Sequence, residues 1–82
     1  MLHVLSVQPV AEYRLRLRFN DGLEGEVDLS DELTGAMFEP LRNIELFRQV
    51  NIDPELHTIA WPNGADFAPE FLRNLIGQRS AA

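Results

Sequence analysis

The chain has 82 residues, enough for one small domain, and a domain of that size buries only about 60% of the surface its unfolded chain exposes. It contains no Cys, which excludes disulfides, Cys-ligated zinc and thiol chemistry and leaves His3 and His57 as the only imidazole ligands. Thirteen acidic residues oppose seven basic ones, all Arg, giving a net charge of −6, which argues against a phosphate-binding surface because such surfaces normally carry a basic patch.

In chain order, His3-Val4-Leu5-Ser6-Val7-Gln8 reads as a strand ending at Pro9, a residue that belongs at strand ends and edges. A short turn around Val10-Ala11-Glu12 leads into the strongest periodicity of the chain. Tyr13, Leu15, Leu17 and Phe19 alternate with Arg14, Arg16 and Arg18; then Leu23, Gly25, Val27 and Leu29 alternate with Glu24, Glu26 and Asp28. These are two half-buried strands. A two-residue loop of Asp21-Gly22 would set Phe19 opposite Glu24, so the loop must hold three residues, with Asn20-Asp21 as a type I turn and Gly22 in the left-handed position. Phe19 then faces Leu23, Leu15 faces Val27, and Tyr13 faces Leu29. On the other face Arg18, Arg16 and Arg14 oppose Glu24, Glu26 and Asp28, each pair contributing about 0.2 to 1 kcal/mol. Residues 1–29 therefore form a three-stranded antiparallel meander, with Leu17 partly uncovered because it opposes Gly25.

Beyond Leu29, Ser30 is a helix-cap residue followed by acids, but Gly35 limits the segment to a short helical turn. Met37, Phe38 and Leu41 return to the core across an irregular connection containing Pro40, and Asn43 caps a short helix over residues 43–48. Residues 49–52, the turn Asp53-Pro54-Glu55-Leu56, and residues 57–61 read as a second hairpin, with Val50 and Ile52 sharing a face with Ile59 and Trp61. Asn63-Gly64 is a turn pair. Asp66 is placed to cap a helix opening near Pro69, in which Phe67, Phe71, Leu72, Leu75 and Ile76 form the apolar stripe and Gly77 the C-cap. We expect one α+β domain over residues 1–82, with 78–82 frayed, and a core of Leu15, Leu17, Phe19, Val27, Leu29, Phe38, Leu41, Phe47, Ile59, Trp61, Phe71 and Leu72. No apolar run approaches the roughly 18 residues of a membrane span, and residues 1–3 lack the features of a signal peptide. A cytoplasmic protein is expected.

Several motifs together resemble the bacterial domain-of-unknown-function 2442 family. They are the run from Tyr13 to Gly22, then Val27-Asp28-Leu29, Phe38-Glu39-Pro40-Leu41, Asp53-Pro54-Glu55-Leu56, and the specific Trp61-Pro62-Asn63-Gly64-Ala65-Asp66. One departure is His57, where the family pattern usually has Gly. The resemblance implies an α+β fold and no established activity, cofactor or catalytic residue. It also implies a genomic context like that of toxin–antitoxin components, often beside small proteins of the domain-of-unknown-function 4160 family. Some members are joined to helix-turn-helix domains, for which 82 residues leave no room.

Candidate chemistry is sparse. His57 lies near Asp53 and Glu55, a set short of the three or four convergent ligands and outer shell of a metal site; no metal or cofactor is expected. There is no HExxH, Gly-rich phosphate loop or nucleophile elbow. The residues to examine are Trp61, Asn63, Gly64 and Asp66, where Trp61, Phe67 and Gly64 could line a pocket beside a helix N-terminus; against this stands Asp66 as a simple cap beneath a packed Trp61. Three functional classes follow. The leading one is a non-enzymatic domain that binds another protein as the neutralising partner in a small bacterial two-component module, the acidic charge favouring a basic partner; self-association is a further expectation. The others are a small ligand-binding domain or enzyme at Trp61 and Asp66, and a regulatory nucleic-acid binder using Arg14, Arg16 and Arg18. Paired with carboxylates, that Arg face makes the last the least expected.

Overall fold

Alternation of apolar and charged residues builds the first half of the molecule. The computed structural model describes the backbone of residues 1–81 and side chains as far as Ile76. Strands β1 (Val4–Ala11), β2 (Arg14–Phe19) and β3 (Glu24–Asp28) form an antiparallel meander in the order β1-β2-β3. The register of β2 and β3 is the expected one, Leu15 opposite Val27, Leu17 opposite Gly25, and Arg14, Arg16 and Arg18 opposite Asp28, Glu26 and Glu24. The loop is also as expected. Gly22 N–H donates to Phe19 O (3.1 Å), Phe19 N–H to Leu23 O (2.9 Å), and Gly22 takes φ of +92°, a left-handed conformation that glycine adopts without steric penalty.

Strand β1 differs from its expected limits. It continues through Pro9, Val10 and Ala11, leaving Glu12-Tyr13 as the turn, with Glu12 at φ of +37°. Pro9 is accommodated because β1 is an edge strand of the sheet. The register slips between Val4 and Ser6 and again between Pro9 and Ala11. The extra residues, Leu5 and Val10, are exposed, as bulged residues outside the regular alternation can be.

The middle of the chain is more helical than expected. A 3-10 turn (Ser30–Glu32) is followed by α1 (Gly35–Phe38), a second 3-10 turn (Glu39–Arg42) and α2 (Ile44–Phe47). Ser30 is not a cap: its N–H donates to the Asp28 carboxylate (2.9 Å) and Leu29 holds the cap position. Pro40 lies in the first turn of its helical segment, where its missing N–H costs nothing, so the connection is helical instead of irregular. Leu41 is buried and Phe38 packs on the core, but Met37 is 49% exposed on a helix that buries none of its residues. Asn43 caps α2 through the Glu45 N–H (3.0 Å).

A second hairpin, β4 (Asn51–Asp53) with β5 (Thr58–Ala60), pairs Ile52 with Ile59. Its loop returns through His57 at φ of +58°, where Asp53 O accepts the His57 N–H (2.8 Å). The chain then enters α3 (Pro69–Ala81). This helix runs through Gly77, so Gly77 is not its C-cap; its backbone is described as far as Ala81, while Ala82, at the end of the segment expected to fray (78–82), lies outside the described residues.

The core lies between the inner face of the meander, α3 and the second hairpin. Ten of the expected core residues are buried; Phe38 is partly covered and Phe71 is 37% exposed. Val4, Leu33, Ala65, Phe67 and Ile76 join them. Leu17 is 1% exposed, not partly uncovered, because Ile76 of α3 fills the space above Gly25: a Cβ at Gly25 would stand 3.0 Å from Ile76 Cγ2.

Candidate functional site

The run Trp61-Pro62-Asn63-Gly64-Ala65 repeats, bond for bond, the turn at Phe19-Asn20-Asp21-Gly22-Leu23. Gly64 N–H donates to Trp61 O (3.0 Å), Trp61 N–H to Ala65 O (2.9 Å), and Ala65 N–H to Asn63 Oδ1 (3.1 Å), with Gly64 at φ of +92°. In the first turn the Asp21 carboxylate takes the place of the Asn63 amide oxygen, accepting from Leu23 N–H at 3.1 Å. Both are type I turns closed by a left-handed glycine. The second continues into a β-bridge between Ala60 and Asp66.

The four candidate residues are brought into one loop, but not as a ligand-facing group. Trp61 is 3% exposed, and its indole Nε1 donates to Phe47 O (2.8 Å), tying β5 to α2. Asn63 uses its amide oxygen within the turn and its Nδ2 to reach Met37 O (3.1 Å), fastening the loop to α1. Gly64 supplies the left-handed backbone. Only Asp66 presents a free polar group: it is exposed, and its carboxylate has no hydrogen bond or ion pair among the described residues. The expected capping by Asp66 is therefore not observed. Its extended, bridged backbone alternates faces, sending Ala65 and Phe67 inward and Asp66 outward. Thr58 Oγ1, buried, donates to Phe67 O (2.6 Å) and holds this segment against β5.

The loop seats an aromatic chain. Tyr13 meets Phe47 edge-on (centroids 5.4 Å apart), Phe47 contacts Trp61 (5.7 Å), and Trp61 meets Phe67 edge-on (5.8 Å). Phe67 is then stacked with both Phe38 (4.6 Å, 23° between planes) and Phe71 (5.4 Å, 10°). This three-ring stack reaches the surface at Phe71 and beside Met37. The sequence pattern places Phe71 and Met37 in the core. Their apolar character is legible in the sequence, while the lack of a covering element is a tertiary fact.

The Arg face is less neatly paired than its register suggests. Arg16 bonds diagonally to Glu24 (3.4 Å), and Arg14 lies 3.9 Å from Asp28. Among the described residues Arg18 and Glu26 have no ion pair. On the outer face β1 contributes Ser6, Gln8 and Ala11 beside the arginines.

The cluster around His57 does not converge. The Asp53 carboxylate accepts from Glu55 and Leu56 N–H (2.8 and 3.0 Å), and the His57 ring stacks on His3 (centroids 4.0 Å apart, 10° between planes). Among the described residues no three metal-ligating side chains come together. His57 O accepts from Val4 N–H (2.9 Å), so the two histidines mark a junction between β1 and the second hairpin. Desolvation, then the neighbouring His57 and the N-terminal amine, lowers the His3 pKa.

Among the described residues no helix is long and apolar enough to cross a membrane. No curated protein matches the sequence. A crystal structure from Nitrosomonas europaea, described as that of a "putative DNA binding protein", superposes with a TM-score of 0.86 at 23% identity. It covers 99% of this chain, which spans about half (52%) of that one, and at such identity the likeness shows the fold alone. A family profile, Protein of unknown function (DUF2442), matches residues 4–77, and the chain belongs to that family.

Proposed function

We propose that this is a non-enzymatic protein-binding domain, acting as the neutralising member of a small bacterial toxin–antitoxin-like pair. One observation carries the reading. The loop engages the polar atoms of Trp61 and Asn63 in hydrogen bonds within the fold, and beside it the aromatic stack on Phe67 reaches the surface at Phe71, with Met37 exposed next to Phe38 in the chain. Apolar side chains presented on a rigid base suit a protein partner better than a reaction, which needs convergent polar groups. The net charge of −6 favours a basic partner through complementarity and faster encounter. The test is co-expression with the product of the adjacent gene, followed by size-exclusion chromatography at near-physiological salt. Co-elution as a stable complex is expected; separate elution at both low and physiological salt overturns the reading.

A second reading, nucleic-acid binding through Arg14, Arg16 and Arg18, is favoured by the unpaired Arg18 and by the description of the Nitrosomonas protein. Acidic Glu24, Glu26 and Asp28 along the neighbouring strand oppose it. Duplex titration at physiological salt should show weak binding at most. Submicromolar affinity abolished by replacing the three arginines with Ala would make this the leading reading.

A further inference from the structure

We infer that the docking surface is the ridge of Met37, Phe38 and Phe71 built over Phe67, and that its occupant is a basic protein segment with an apolar anchor flanked by Arg or Lys. This rests on the protein-binding reading and names the partner's chemistry. The ridge is apolar and open: Phe38 and Phe71 both stack on Phe67, Phe71 is 37% exposed, and Met37, which precedes Phe38 in α1, is 49% exposed. Each stacked ring has an exposed carboxylate as its chain neighbour, Glu39 after Phe38, Asp66 before Phe67 and Glu70 before Phe71.

None of the three acids has an ion pair among the described residues. The arginines best placed to neutralise two of them are engaged elsewhere. Arg42 and Arg73 follow Glu39 and Glu70 by three residues, a spacing that brings side chains together on a helix. Yet Arg42 Nε donates to Leu33 O (3.0 Å) and Arg73 Nε to the Asp21 carboxylate (3.1 Å). The ridge thus keeps an apolar centre with an uncompensated negative rim, the inverse of a basic segment around an apolar anchor. A concavity lined by Val10 and Ile44 is bordered by both Glu12 and Arg48 and selects no sign of charge.

Trp61 is the only tryptophan and its ring lies 5.8 Å from Phe67, so its emission reports on the ridge. Three peptides without Trp or Tyr serve as probes: an amphipathic Leu/Arg peptide, a Ser/Arg peptide of equal charge, and a Leu/Glu peptide. They are titrated into the full chain and into two variants checked by circular dichroism: Met37→Ser/Phe71→Ser, and Glu39→Gln/Asp66→Asn/Glu70→Gln. We expect the Leu/Arg peptide to shift Trp61 emission and to bind at least about tenfold more tightly than either control peptide. Each variant should lose about tenfold of that affinity. Equal binding of the Leu/Arg peptide to wild type and both variants, or no binding of it at about 1 mM, overturns the inference. If the adjacent gene product still co-elutes with both variants, the ridge assignment fails while the protein-binding reading stands. If it fails to co-elute even with wild type, the reading itself fails.

Discussion

At the scale of single residues, Trp61 and Asp66 stand five positions apart and behave oppositely. Trp61 is buried, touches Phe47 and Phe67, and donates its indole N–H to Phe47 O, linking α2 to β5. Trp61→Ala should cost about 3 to 5 kcal/mol, enough to unfold a marginal domain. Trp61→Phe should recover the packing but lose this bond, leaving Phe47 O with only the longer bond from Val50 N–H (3.3 Å), at about 0.5 to 1.5 kcal/mol. Asp66 is exposed, and its carboxylate has no hydrogen bond among the described residues. Asp66→Ala and Asp66→Asn should therefore melt within about 0.5 kcal/mol of wild type, as exposed substitutions usually do. A loss of 1 kcal/mol or more for Ala, recovered by Asn, would restore the capping role that the position of Asp66 before Pro69 suggests in the sequence. That position was misleading for a definite reason: the bridge to Ala60 fixes the direction of Asp66, and such a bridge leaves no local trace.

At the scale of elements, what was legible is what local constraints determine. The hairpin of β2 and β3 follows from two alternating runs and a glycine that only one loop length can use, so its register was decided before any tertiary contact. The end of β1 was not legible, because Pro9 terminates a central strand but survives on an edge, and edge or centre is set by the whole sheet. Gly25 makes the same point about packing. Its place opposite Leu17 looked like a gap, whereas α3 uses the missing side chain to bring Ile76 onto the sheet. Gly25→Ala should then destabilise by about 1 to 3 kcal/mol through overpacking against Ile76. Ile76→Ala alone leaves a cavity, but in its presence Gly25→Ala should be neutral or stabilising, since the three atoms nearest the new methyl all belong to the removed part of Ile76 and alanine restricts the unfolded chain. A double-mutant cycle on chemical denaturation midpoints measures this coupling. Additive costs would show that α3 does not rest on Gly25.

At the scale of the whole molecule, distant segments are joined by ionisable contacts, and these should appear in its response to pH. His3 stacks on His57 across the junction of β1 with the second hairpin, and Asp21 in the first turn binds Arg73 of α3. The folded His3 pKa is held below the usual 6.5, chiefly by desolvation and then by the charge of His57 and the N-terminal amine. Between the folded and unfolded values the unfolded chain binds more protons, so this contribution is complete above about pH 6.5 and declines as pH falls below it. The Asp21 carboxyl is lowered from 3.8 by the Leu23 N–H and the Arg73 side chain. Its contribution is complete above the unfolded value and is lost only at lower pH. Relief of repulsion opposes both trends, because a chain of net charge −6 approaches neutrality on acidification. Differences between variants separate these effects. His3→Gln should reduce the slope of denaturation midpoint against pH between about 7 and 5 while leaving the slope below pH 4 intact. Asp21→Asn should do the reverse, weakening the lower-pH slope, and at neutral pH it should also loosen α3 over the meander, read as faster amide exchange in residues 69–76. If His3→Gln leaves the upper slope unchanged, the histidine stack does not contribute to the pH dependence of folding, and the acid response belongs to the carboxylates alone.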